Sequence, residues 1–214
     1  MKVLVIGANG QIGTQLVEKL QENATHDVTA MVRKEEQVEK FKKKGIQTVL
    51  GDLEDSVDAL AERMSDADAV VFAAGSGGKT GFDKTLLIDL DGAIKSVEAA
   101  ESKKVDRFIM VSAHQAHNRE SWNEQIKPYF VAKHYADEFL MASSLNYTIL
   151  RPGGLTNDAG TGKVELGKNV ERGSIPREDV AETAMLALDN ESTYRKDFDL
   201  ISGDSEINVA LKNL

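Results

Sequence analysis

Met1-Lys-Val-Leu-Val-Ile-Gly-Ala-Asn-Gly-Gln-Ile-Gly13 opens the chain, and its reading decides the fold. An apolar run, Val3 to Ile6, leads into glycines spaced G-x-x-G-x-x-G at Gly7, Gly10 and Gly13. Ile12, Leu16, Val17 and Leu20 then recur at helical spacing. The stretch reads as buried strand, tight turn and helix start. Such a turn offers backbone N–H groups to an anion at the positive end of a helix dipole. Gly7 permits the turn, Gly10 the close approach of a diphosphate, and Gly13 the packing of helix on strand. Asn9, Gln11 and Ile12, interleaved with the glycines, are expected to contact the same ligand.

Working outward, the remaining 200 or so residues alternate strand with helix. Strands are expected at 2–6, 27–32, 46–50, 69–73, 107–111 and 146–150, and helices at 10–22, 35–43, 56–64, 83–102 and 127–143. Continuously apolar runs such as Val3-Leu-Val-Ile6, Ala69-Val-Val-Phe-Ala73 and Phe108-Ile-Met-Val111 suit a parallel sheet covered on both faces. The fold class is therefore α/β, a modified Rossmann doubly wound parallel sheet. One domain spans residues 1–214, and residues 152–214, glycine-rich with a helix near 177–188 and a strand near 198–201, form a small C-terminal substrate lid.

Composition excludes several functions. There is no cysteine, which removes disulfides, thiol nucleophiles and Cys-zinc sites and suits a cytoplasmic protein. The net charge of −9 argues against nucleic-acid partners. No apolar run approaches the ~20 residues needed to cross a bilayer, and the first residues lack the features of a secretion signal. The expected partner is a small-molecule substrate, with the chain a monomer or homodimer.

The end of the second strand bears on the cofactor. Dinucleotide sites selective for NAD place an acid there to hold the ribose 2′-hydroxyl. Here the strand ends Met31-Val-Arg33-Lys34, and a guanidinium at Arg33 suits a 2′-phosphate, so NADP is expected ahead of NAD. Glu35 and Glu36 fall in a first helical turn, where acids complement the dipole. After the third strand, Asp52 and Leu53 are expected beside the adenine. Ala73, Ala74 and Gly75 keep the sheet edge small enough for a cofactor to lie across it. The run Ala73-Ala-Gly-Ser-Gly-Gly-Lys-Thr80 approaches a triphosphate-binding loop but lacks its first glycine, and reads instead as a loop over the cofactor.

Tyr129-Phe-Val-Ala-Lys133 carries the expected chemistry. The i, i+4 spacing puts both side chains on one helix face. An ammonium there favours the phenolate and lowers the phenol pKa, so the phenol can exchange a proton with a substrate oxygen as hydride moves.

These features together resemble the atypical, NAD(P)-binding branch of the short-chain dehydrogenase/reductase superfamily related to nucleotide-sugar epimerases. The resemblance covers nearly the whole chain. It rests on the glycine turn, Val32-Arg33, Gly51-Asp52-Leu53, Ala73-Ala-Gly75, Tyr129 with Lys133, Arg151-Pro-Gly153 and Ile175-Pro-Arg-Glu-Asp-Val-Ala181. It implies Tyr129 as acid/base and Lys133 as ribose holder and activator. It also implies that Pro152 and Gly153 lie near the nicotinamide. Two departures stand out. The position of the family's substrate-polarising serine falls on Ala113, leaving Ser112, His114 or a water for that role. The stretch after Arg151 is shorter than an epimerase's substrate domain.

His114 and His117 lack a third ligand in sequence, and no metal is expected. Trp122 is either a pocket wall or an anchor for the loop before Tyr129. The expected function is hydride transfer between NADP and a small carbonyl or unsaturated substrate, with Tyr129, Lys133 and Ser112 catalytic. The alternatives are a cofactor-assisted epimerase or dehydratase, and a non-catalytic NADP-binding redox sensor.

Overall fold

The computed structural model describes residues 1–23, 25–78 and 80–214. The first half is a regular alternation: β1 (Lys2–Ile6), α1 (Gln11–Asn23), β2 (Asp27–Val32), α2 (Glu35–Lys42), β3 (Gln47–Leu50), α3 (Val57–Arg63) and β4 (Ala69–Phe72). A composite helix follows, made of the short turn α4 (Phe82–Lys84), a π-helical segment Thr85–Asp91, and α5 (Gly92–Ser102). Then come β5 (Arg107–Val111), α6 (Lys127–Ala142) and β6 (Asn146–Pro152). The C-terminal region contains β7 (Gly154–Thr156), β8 (Lys163–Gly167), β9 (Ser174–Pro176), α7 (Arg177–Ala187), β10 (Lys196–Ser202), β11 (Ser205–Glu206) and α8 (Ile207–Lys212).

The main sheet runs β3-β2-β1-β4-β5-β6-β10-β8-β11. All pairs from β3 through to β10 are parallel, and only β8 and β11 are antiparallel additions. The chain winds one way from β1 to β3 and the other way from β4 onward. The switch therefore falls between β1 and β4, where their carboxyl ends part to leave a crevice.

Alternation along the strands explains the two cores. Val3 and Val5 point to a layer built with Leu16, Val17 and Leu20 of α1, Phe41 of α2, Val180 and Ala184 of α7, and Leu211 of α8. Leu4 and Ile6 point the other way, onto Leu60 of α3, Val97 of α5 and Leu140 of α6. β4 and β5 are buried along their whole length, as expected of central strands covered on both faces. Ser56 caps α3, its hydroxyl accepting from the Ala59 N–H at 3.2 Å.

The C-terminal region is more integrated than a separate lid. β10, β8 and β11 extend the main sheet, while α7 packs beside α1 through Lys19, which pairs with Glu178 and Glu182 at 3.4 and 3.0 Å. Among the described residues of this region, Leu155 of β7 and Arg177 at the start of α7 reach the crevice. Among the described residues, no helix is long and apolar enough to cross a membrane.

Candidate active site

The glycine turn is built as its spacing requires. Gly7 has φ +82°, and a Cβ there would lie 2.6 Å from the Ala74 backbone. Gly13 lies so close under the turn that a Cβ would be 2.9 Å from Ala8 Cα. The Gly10 N–H closes the turn on the Gly7 carbonyl at 2.9 Å, and the Thr14 N–H returns to the Gly10 carbonyl at 2.9 Å. The intervening N–H groups of Gln11, Ile12 and Gly13 stand in the first turn of α1 without a backbone acceptor, which makes them donors for an anion. A cradle that any larger side chain at Gly7 would fill, together with open helix N–H groups, fits a dinucleotide diphosphate.

Two adjoining cavities run from this turn along the sheet edge. One, of about 440 Å³, is lined by Asn9, Arg33, Gln37, Asp52 and Leu53. The other, of about 670 Å³, is lined by Gln11, Ile12, Ala73, Ser112, Tyr129 and Lys133. Both share Gly7, Gly10, Ala74 and Gly75, so they form one cleft with the glycine turn at its middle. Gly13 supports the turn from behind. Pro152 and Gly153, which the resemblance sets near the nicotinamide, are not among the residues lining the two cavities. The Gly153 N–H donates to the Leu200 carbonyl at 2.9 Å, and a Cβ there would lie 2.9 Å from the Ile201 side chain. That turn is held against β10, and the cleft wall beyond it is instead Leu155 and Arg177.

Tyr129 and Lys133 share one face of α6, whose first turn carries Pro128. The Lys133 ammonium is 5.9 Å from the Tyr129 ring centre and donates to the Val111 carbonyl at 3.2 Å. Its charge partner was not legible in the sequence. Asp89, 1% exposed, lies in the π segment with Oδ1 3.5 Å from Lys133 Nζ, and its Oδ2 accepts the Ser76 N–H at 3.0 Å. Burial alone would lower the Lys133 pKa; the Tyr129 oxygen once ionised, then the carboxylates of Asp89 and Asp137, push it the other way, and the net direction is upward.

The phenol behaves differently from the expectation. Burial is the largest influence on Tyr129 and pushes its pKa up; Lys133 pulls it down, with Asp89 and Asp137 adding to the rise. The net direction is upward. The neighbouring ammonium only moderates the cost of forming a phenolate in a desolvated cleft, and the resting group is a phenol, an acid.

Ser112 is 4% exposed and follows β5 directly. Its hydroxyl has no hydrogen-bond partner within normal geometry, and neither does Oδ1 of Asp137 behind it. The hydroxyl is nonetheless near enough to draw the Asp137 pKa down against the larger upward push of burial, in company with Arg151. Arg151 Nε donates to Asp137 Oδ2 at 2.8 Å, and Nη1 pairs with Asp197. A hydroxyl rotates freely, so Ser112, with Asp137 behind it, can turn its proton toward a ligand oxygen at the cleft wall.

The loop after Ser112 is fixed rather than open. Gln115 adopts φ +57° and is buried against Asp199, which accepts its N–H at 3.0 Å. His114 Nε2 is 3.0 Å from the Val170 carbonyl and His117 Nε2 3.1 Å from Asn169 Oδ1, so both rings face the C-terminal region and not the cleft. Trp122 is an anchor: its indole N–H donates to the Ala116 carbonyl at 3.1 Å, and its ring stacks with Phe130. Gly75 to Gly78 and Thr80 border the cleft as the loop reading expected, while Lys79 lies outside the described residues.

Comparisons with known proteins agree with this geometry. The family described as NAD(P)H-binding matches residues 7–191. A Bacillus subtilis relative that bears the name "Uncharacterized sugar epimerase YhfK" is 56% identical over the full length of both chains. A Bacillus halodurans structure, provisionally named an NAD-dependent epimerase/dehydratase, superposes with a TM-score of 0.94 at 41% identity, with all of both chains covered. The anaerobilin reductase ChuY of Escherichia coli O157:H7 superposes with a TM-score of 0.81 at 25% identity, covering 95% of this chain and 98% of that one. Glycine turn, sheet order and matched span together show that the chain belongs to the NAD(P)H-binding family, with the Rossmann-like fold of atypical short-chain dehydrogenases/reductases.

Proposed function

We propose that the protein is an NADPH-dependent reductase of a small carbonyl or conjugated unsaturated substrate. The observation that carries this reading is the grouping of Tyr129, Lys133 and Ser112 on one cavity wall next to the glycine turn. Bound NADPH would supply the hydride for the substrate carbon. Tyr129, a phenol at rest, gives its proton to the carbonyl oxygen, and Ser112 donates a hydrogen bond to that oxygen as charge grows on it. Lys133 faces the phenolate so formed, and Asp89 keeps the ammonium in place. The substrate leaves as the alcohol, and Tyr129 recovers its proton from solvent.

The preference for NADPH rests on two cations at the far end of the cleft. Arg33 is exposed and forms no ion pair among the described residues. Lys40 has no carboxylate partner among them either, and its ammonium donates to Asn9 Oδ1 at 3.0 Å. Asn9 and Arg33 line the same cavity, so two unneutralised charges flank one spot suited to a 2′-phosphate.

A second reading is favoured by the name of the Bacillus subtilis relative: a cofactor-assisted epimerase, in which hydride leaves the substrate and returns to it. Against it, Val111, Phe82, Ile126 and Leu155 line this cavity beside Ser76, Thr80 and Thr85, and the surface they leave is more apolar than polar, a weaker match to a sugar than to a carbonyl compound. The deciding experiment is to incubate the purified protein with NADPH and a panel of aldehydes, ketones, quinones and enones and follow NADPH oxidation. Stoichiometric oxidation with an alcohol or saturated product supports the reductase. A panel without turnover, alongside epimerisation without net cofactor consumption, would replace it with the second reading.

A further inference from the structure

Arg177 is the one residue of the Ile175–Ala181 motif that reaches the cleft, and the reductase chemistry gives it no task. It opens α7 and lines the same cavity as Tyr129 and Ser112. Its Nη1 donates to the Leu155 carbonyl at 3.2 Å and to Asn157 Oδ1 at 2.9 Å. Both acceptors are neutral. Nε and Nη2 have no protein acceptor among the described residues, and the guanidinium forms no ion pair there. In a chain with 35 acids against 26 bases, an arginine on a cavity wall without a carboxylate stands out. Holding two loops together would require only the bonds already made, and leaves three N–H donors and a full charge unused.

The surroundings narrow what would use them. Asp89, the acid on this cavity wall, is committed to Lys133 and the Ser76 N–H. The other polar side chains of this cavity, such as Thr80, Thr85 and Ser112, are uncharged apart from Lys133, and Phe82, Ile126 and Leu155 stand half exposed along it. The diphosphate of a dinucleotide already has its receptor in the open N–H groups of α1. Arg177 is tied instead to Leu155 and Asn157, on the C-terminal side of the cleft.

We propose that Arg177 receives an oxyanion borne by the substrate, so that the preferred substrate is a largely apolar carbonyl compound carrying a carboxylate or phosphate. This rests on the reductase reading for the carbonyl, while the oxyanion rests on Arg177 alone. The guanidinium would grip the anion through a pair of parallel hydrogen bonds and set the distance from it to the carbonyl held by Tyr129 and Ser112.

The test uses the full chain saturated with NADP⁺ and matched probes: phenylglyoxylate, 3-benzoylpropionate and 4-carboxybenzaldehyde, each against its methyl ester. Calorimetric titration should show at least one acid binding about tenfold or more tighter than its ester, the scale of a charge-assisted hydrogen bond. In Arg177→Met the preference should vanish while NADPH affinity stays within about twofold, and Arg177→Lys should restore part of it. No acid preferred over its ester by the unmodified protein would overturn the proposal without any variant. A preference that survives in Arg177→Met would overturn it as well. So would a tenfold loss of NADPH affinity with the acid preference intact, which would assign Arg177 to the cofactor diphosphate. The two readings fail separately. Acid preference without turnover leaves Arg177 in place and removes the reductase; equal turnover of acids and esters does the reverse.

Discussion

Asp89 Oδ1 lies 3.5 Å from Lys133 Nζ, and the two side chains, 1% and 4% exposed, come from different helices. The contact exists because the helix carrying Asp89 is wound wider over Thr85–Asp91, which changes the direction its residues face relative to a plain α-helix. Asp89 then bridges the loop after β4, through the Ser76 N–H, to the helix bearing Tyr129. Removing it strands a buried ammonium with the Val111 carbonyl as its remaining partner. Asp89→Ala should therefore cost about 3–5 kcal/mol in a urea unfolding titration, the usual cost of breaking a buried pair. Asp89→Asn keeps an acceptor for Ser76 and should cost less. Equal stability in all three proteins would show that the pair contributes nothing.

Arg33→Ala should weaken NADPH binding by about 1.5–3 kcal/mol and leave NADH nearly unchanged, because only the 2′-phosphate would use that charge. Lys40→Ala should show the same selectivity at smaller magnitude, since the ammonium is exposed and screened. Titration calorimetry with both nucleotides is the check. Equal affinities of the unmodified protein for NADPH and NADH would contradict the assignment.

The raised pKa of Tyr129 has a pH consequence whose sign is fixed. Reduction needs the phenol protonated, a form present below its pKa and lost as pH rises through it. Because burial lifts that pKa above its ordinary 10.0, hydride transfer in the reductive direction should be flat from about pH 6 to 9. Alcohol oxidation needs the phenolate and should climb throughout that range. A reductive rate that falls near neutral pH would mean that Lys133 wins over desolvation after all.

Much of this site is legible before any coordinates. The glycine turn, Arg33 at a strand end and Tyr129 one helical turn before Lys133 are local patterns, and local spacing fixes their geometry. Asp89 was hidden because its orientation depends on one wide turn inside an otherwise ordinary amphipathic stretch. Arg177 was hidden because it meets Leu155 across the pairing of β7 with β9, which three-residue strands do not announce. Pro152 and Gly153 show the opposite situation. The family motif marks them, but β10 packs on that turn and leaves Leu155 as the wall. The sign of the Tyr129 shift was missed because a neighbour's charge is visible in sequence and desolvation is not.

Ser112→Ala should slow turnover by roughly 100-fold, the cost of one donor to a developing oxyanion, with NADPH affinity unchanged. His114→Ala should change turnover little, since its ring is spent on the Val170 carbonyl. Stopped-flow NADPH oxidation by the two variants, on a substrate found with the carbonyl panel, separates them. The reverse order of effects would move the polarising role from Ser112 to His114.

The most direct measurement follows hydride itself. A single turnover with NADPH deuterated at the transferable position should give an alcohol that carries deuterium on the former carbonyl carbon, with one NADP⁺ formed per product. Tyr129→Phe should bind NADPH as well as the unmodified protein and form that product roughly 100-fold more slowly or worse. Deuterium retained on the cofactor while the substrate is merely epimerised, or full-rate transfer by the phenylalanine variant, would contradict the account.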